Sequence, residues 1–220
     1  MPSDPADTLP PEAELALAWT GSEVRSEFGI ALQLDRRLAR IVQRTSEPIL
    51  GQMRLAWWRD TLGKPLADRP RGDAVLDGLG VHWTGREAPL IAMVNAWEIL
   101  VTAQRLGPSE VESFAAGRGA FFAALAGDGV PDDLSARLVG AGQRWALADA
   151  ASGVSNQSER AALVAAGLAV MRRSKRLPRE LRGVAVLEAL ALRALNRGGR
   201  PLMEGRGAPF TIMRAAIFSA

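Results

Sequence analysis

A chain of 220 residues, 48% hydrophobic and with a formal net charge of only +3, can bury a full core and fits one large domain better than two small ones. It has no cysteine and one histidine, His82, which excludes a disulfide framework, a thiolate zinc site, a cysteine nucleophile and most histidine-dependent catalysis. Its basic residues are arginines apart from Lys64 and Lys175, a set suited to phosphate and carboxylate, whereas 5% aromatic residues and no tyrosine supply few stacking platforms for nucleic acid.

Taken in chain order, residues 1–11 are acidic and proline-rich and are expected to form a disordered tail. They lack the basic start and apolar stretch of a secretory signal, and no later apolar run approaches the ~20 residues of a membrane span, so a cytoplasmic protein is expected. From residue 12 to 220 the apolar spacing i, i+3, i+4, i+7 recurs without sustained period-two alternation, which predicts a single all-α domain. Proline and glycine punctuation places helices over 12–20, 23–44, 47–62, 73–79, 88–105, 109–126, 132–152, 157–173, 179–197 and 208–218. Ser22 and Pro108-Ser109 read as helix starts, the latter with Glu112 three residues after Ser109 as a capping box. The segment 63–87 reads as an irregular excursion.

Three charges fall inside apolar helical arcs. Asp35 lies among Val24, Phe28, Ala31, Leu34, Leu38, Ala39 and Val42; Arg54 lies among Ile49, Leu50, Met53, Trp57, Trp58 and Leu62; Arg118 lies among Val111, Phe114, Ala115, Phe121, Phe122 and Leu125. Such residues pair, line a wet cavity or snorkel to the rim, because a buried unpaired charge is costly. On two consecutive antiparallel helices Asp35 and Arg54 differ in height by only about 4 Å, which predicts either a mostly buried contact between them or both groups on one internal cavity, with Arg118 a candidate third member. The six tryptophans are expected as core filler and His82 as a surface residue. The acidic pairs Glu23 with Glu27, Asp73 with Asp77, and Asp128 with Asp132 read as solvated surface. Between the last long helices, Arg172, Arg173, Lys175, Arg176, Arg179 and Arg182 stand against Glu180 alone. That run is either a solvated loop or a patch for an anionic lipid surface or an acidic protein partner.

The stretch 28–62 carries Ser46-Glu47, then Gly51-Gln52-Met53-Arg54, then Trp57-Trp58-Arg59 across two helices. It resembles the squalene/phytoene synthase family, above all its divergent branch of complex I assembly-factor-like proteins, and weaker likeness continues through 111–126 and 140–151. The resemblance implies a single isoprenoid-synthase-like helical bundle. Enzymes of that family hold magnesium on two acidic clusters of facing helices, because two prenyl diphosphates bring several negative charges into an apolar cavity. Matched on Arg36, the first cluster falls on Ala39, Arg40 and Gln43; in the second, over 144–153, Asp149 is the only acid. The expectation is therefore a protein without catalytic or metal-binding residues that binds a protein partner, an anionic membrane surface at its periphery, or a prenyl or other lipid ligand. Asp35, Arg54, Arg118 and Asp149 are its cavity or buried polar candidates. The alternative is a magnesium-dependent prenyl transferase joining prenyl diphosphates head-to-head.

Overall fold

Proline in the first turn starts several of the helices in the computed structural model, which describes residues 8–45, 47–173 and 175–218. The helices are α1 (Pro11–Ala18), α2 (Ser22–Arg44), α3 (Pro48–Leu62), α4 (Ala74–His82), α5 (Ala88–Thr102) and α6 (Pro108–Gly119), followed by α7 (Phe121–Ala124), α8 (Asp132–Gly153), α9 (Gln157–Ala169), α10 (Arg182–Asn196) and α11 (Ala208–Phe218). The described residues contain no strand, and none of their helices is long and apolar enough to cross a membrane. Of the tail expected over 1–11, residues 1–7 lie outside the described residues; Leu9 packs against the core and Pro11 already begins α1.

Local chemistry explains where boundaries differ from the pattern. Pro108 takes the first helical position of α6 with Gly107 before it, so Ser109 sits inside the first turn and the expected Ser109–Glu112 capping box is not formed. Glu110 is the acid that reaches back, and its own amide, the Ser109 hydroxyl and the Gly107 amide hold its carboxyl below the ordinary value. The helix expected over 109–126 is interrupted at Ala120, whose amide bonds the Gly117 carbonyl three residues back. α9 ends at Ala169, with Val170 outside the helical region (φ −56°, ψ 123°), and the described residues of the basic run, 171–173 and 175–178, carry no helix before a 3₁₀ turn at Arg179–Leu181.

The excursion 63–87 is not loose. Asp73 caps α4, accepting from the amides of Val75 (3.0 Å) and Leu76 (2.9 Å), while Arg37 donates to its other oxygen at 2.6 Å. Burial would raise the Asp73 carboxyl, but the Leu76 amide, Arg37 and the Val75 amide outweigh it and hold the group below its ordinary value. Asp77 accepts from the Gly72 amide, so the Asp73–Asp77 spacing is a helix-start device. Arg69, itself buried, donates to the carbonyls of Leu62 and Lys64 and to Glu87, and the Trp83 indole donates to the Glu27 carbonyl of α2.

α8 is the central helix, flanked by α6, α9 and α10. α5 joins α6 to α3, α2 packs on α4 and α5, and α1 and α11 lie on α10. One contiguous apolar core runs through the bundle, with a smaller cluster under α6, α8 and α9. At its centre Phe28 of α2, Phe121 and Phe122 of α7 and Trp145 of α8 stack edge to face or tilted, with centroids 4.7–6.1 Å apart. Trp58, Trp83, Trp97 and Trp145 are core residues as expected, whereas Trp19 and Trp57 are exposed and His82 is half-buried.

Candidate functional site

The segment Gly117-Arg118-Gly119 decides the geometry of the site. A Cβ on Gly117 would stand 2.6 Å from the Ala92 carbonyl oxygen of α5, and one on Gly119 would stand 2.5 Å from the Gly142 carbonyl carbon of α8. α6 therefore touches both neighbours backbone to backbone, which no side chain larger than hydrogen allows. The residue between the two contacts has nowhere to go but inward, and Arg118 is 2% exposed.

Its charge is met on every side. Arg118 donates through Nε and Nη2 to the two oxygens of Asp35 (2.8 and 2.7 Å), again through Nη2 to Asp149 (2.6 Å), and through Nη1 to the Ala146 carbonyl (3.2 Å). The Trp97 indole donates to Asp35 at 2.8 Å. The rings of Trp97 and Trp145 each lie 4.5 Å from the guanidinium carbon. Burial opposes the charged form, but Asp35 and Asp149 more than offset it, so the guanidinium is held more tightly protonated than usual. A fork-on-fork pair with Asp35 is the strong form of such a contact.

Beside the cluster lies a cavity of about 220 Å³ lined by Glu12, Arg36, Ala39, Gln43, Asp149 and Ser152 among others, and walled by Leu9 and Pro10 ahead of α1. Burial and the neighbouring Asp149 raise the Glu12 carboxyl despite Arg36 opposite. This is where the resemblance implies a cation-binding pair of helices, and the donor set does not fit one. Asp35 is followed at i+4 by Ala39, and Asp149 at i+4 by Gly153, so each helix presents one carboxylate, and both are already bonded to Arg118. Ala39 and Gln43, two of the positions matched to the first acidic cluster, face this same cavity.

The expected Asp35–Arg54 contact is not formed. Arg54 is exposed on α3, together with Ile49 (70%), Met53 (64%), Trp57 (46%) and Leu50 (45%), because the face of α3 that packs is the one bearing Gly51, Leu55, Trp58 and Leu62. Of the family-like positions there, Ser46 lies outside the described residues. In the basic run, Arg172, Arg173, Lys175, Arg176 and Arg179 are exposed and Arg182 is half-buried; Lys175 pairs with Asp133 at 2.7 Å, both in solvent.

A second buried charge cluster escaped the sequence reading. Glu188 of α10 accepts from Arg137 and, at 2.5 Å, from Arg144, both on α8. Arg144 Nη2 also donates to the Met171 carbonyl at 2.8 Å, tying the end of α9 to the bundle. The signal was present: Arg137 and Arg144 are seven residues apart on one helix face, and Glu188 interrupts the apolar run Val184 to Ala191. No protein-family model, curated protein or solved structure matches the chain.

Proposed function

We propose that this chain is a non-catalytic, squalene/phytoene synthase-like protein that works by binding a partner, in the manner of the assembly-factor-like branch it resembles, and does not condense prenyl diphosphates. The observation that carries this reading is the position of Arg118. Its fixed positive charge takes up both carboxylates that face each other from α2 and α8, the groups that a divalent cation would need. Space argues the same way, since a cavity of about 220 Å³ is smaller than the roughly 300–1,000 Å³ common for one small-molecule site, let alone two prenyl chains.

The outward face of α3 offers Ile49, Leu50, Met53 and Trp57 with Arg54 beside them, and Trp, Met and Arg are the residue types that dominate protein contacts. The basic run 171–182 adds positive charge that would favour a partner with acidic groups or a negatively charged membrane surface. Incubation of the purified protein with farnesyl or geranylgeranyl diphosphate and magnesium is expected to give no head-to-head product. Product above a no-enzyme control would overturn the reading in favour of a prenyl transferase.

A further inference from the structure

A large groove lies away from the arginine–aspartate cluster. It is a groove of about 950 Å³ between α6 and α9 with α8 as its floor, bounded by Leu106, Val111, Ala115, Leu147 and Ala166. Ala162, Ala166 and Ala169 form the α9 wall, and these small side chains leave the space open. The groove is predominantly apolar and of a size that suits one small molecule.

Its two ends differ in charge. At one, Arg105 is outnumbered by Glu110 and Glu112. The other end, at Gln143 and Val170, runs into a second recess of about 410 Å³ that shares those two residues and is edged by Arg173, Ser135 and Asp132. Directly behind it Arg144 holds the Val170 and Met171 carbonyls, within the cluster in which one glutamate, Glu188, serves two arginines. Nε of Arg144 and Nε and Nη1 of Arg137 are buried there without a hydrogen-bond partner. Positive charge thus exceeds negative at this end only.

We infer that the groove binds a single-chain amphiphile with an anionic head, of the fatty-acid class, its chain lying along α8 between α6 and α9 and its carboxylate at Arg173. The apolar walls take the chain, an arginine fork suits a carboxylate, and the charge difference between the ends fixes the orientation. This site is separate from the Arg118 cluster and does not depend on whether the chain is catalytic.

Calorimetric titration of the full chain with dodecanoate below its micelle concentration, beside dodecylammonium, tests it. Dodecanoate binds and dodecylammonium binds more weakly. Ala166→Phe, which fills the groove from its half-exposed wall, weakens dodecanoate by about tenfold or more. Arg173→Glu, on an exposed side chain, also weakens dodecanoate by about tenfold, the scale of one charge-assisted contact, and spares dodecylammonium. An unchanged melting temperature checks that each variant is folded, and Ala162→Phe replaces Ala166→Phe if that variant is not. No binding of dodecanoate, equal binding of both amphiphiles, or binding indifferent to the groove-filling substitution would overturn the inference.

Discussion

Arg118→Met is expected to lower stability by about 3–5 kcal/mol, the scale for removing one partner of a buried ion pair. The loss does not come from the pair's net worth. It comes from stranding Asp35, 5% exposed, with only the Trp97 indole to hydrogen-bond it. Asp149 suffers less, because its side chain is 36% exposed and can turn to water. Arg118→Lys is expected to recover little, since a single ammonium cannot span the two oxygens of Asp35, Asp149 and the Ala146 carbonyl at once. The double variant Asp35→Leu with Arg118→Met should regain most of the loss, as apolar replacements of buried pairs often do. Urea unfolding midpoints with an unchanged slope measure all three. A loss below about 1 kcal/mol for Arg118→Met, the range of exposed pairs, would mean that the cluster is wetter than described.

Glu188→Leu is expected to cost at least as much, again about 3–5 kcal/mol or more, because it strands two buried guanidiniums instead of one carboxylate. Arg144 is 1% exposed and Arg137 8%. Burial already holds the Arg144 guanidinium below its ordinary value although Glu188 supports it, with Arg137 and Arg172 adding repulsion. Without Glu188 of α10 the repulsion among Arg137 and Arg144 of α8 and Arg172 beyond α9 is unopposed. Adding Arg137→Met and Arg144→Leu to Glu188→Leu should return most of the stability. If the single variant unfolds at the same urea concentration as the wild type, the three residues do not form the closed cluster described.

Much of the helical order was readable because proline, glycine and apolar period are local signals. Asp35 was recognisable as inward-facing because the apolar residues of α2 lie on one side, whereas α6 is barely one-sided and Arg118 was marked by its buried neighbours Phe114 and Ala115. Their partnership was not readable. Helices adjacent in sequence put Asp35 level with Arg54, whereas its partner comes from α6, 83 residues away. α3 misled for a physical reason: apolar side chains occur on nearly all of its sides, so periodicity does not choose a face. Close packing does, through Gly51, whose bare Cα faces Val101 of α5. Neighbouring glycines carry the same information for Arg118, because Gly117 and Gly119 mark the two backbone contacts that force it inward. The Arg137–Glu188–Arg144 cluster lay hidden in two helices whose contact only the fold reveals.

The central claim is that Arg118 occupies the place between Asp35 and Asp149 that a metal–diphosphate complex would need. Thermal melting of the wild-type chain with magnesium and a non-reactive farnesyl diphosphate analogue tests it most directly, because a ligand that binds only the native state must stabilise it. At a hundredfold excess over its dissociation constant such a ligand would add about 2.7 kcal/mol, or roughly 5–10 °C for a chain of this length. Magnesium added to the analogue is expected to leave the melting temperature within about 1 °C of its value with the analogue alone, far below that shift. A magnesium-dependent rise of several degrees would contradict it.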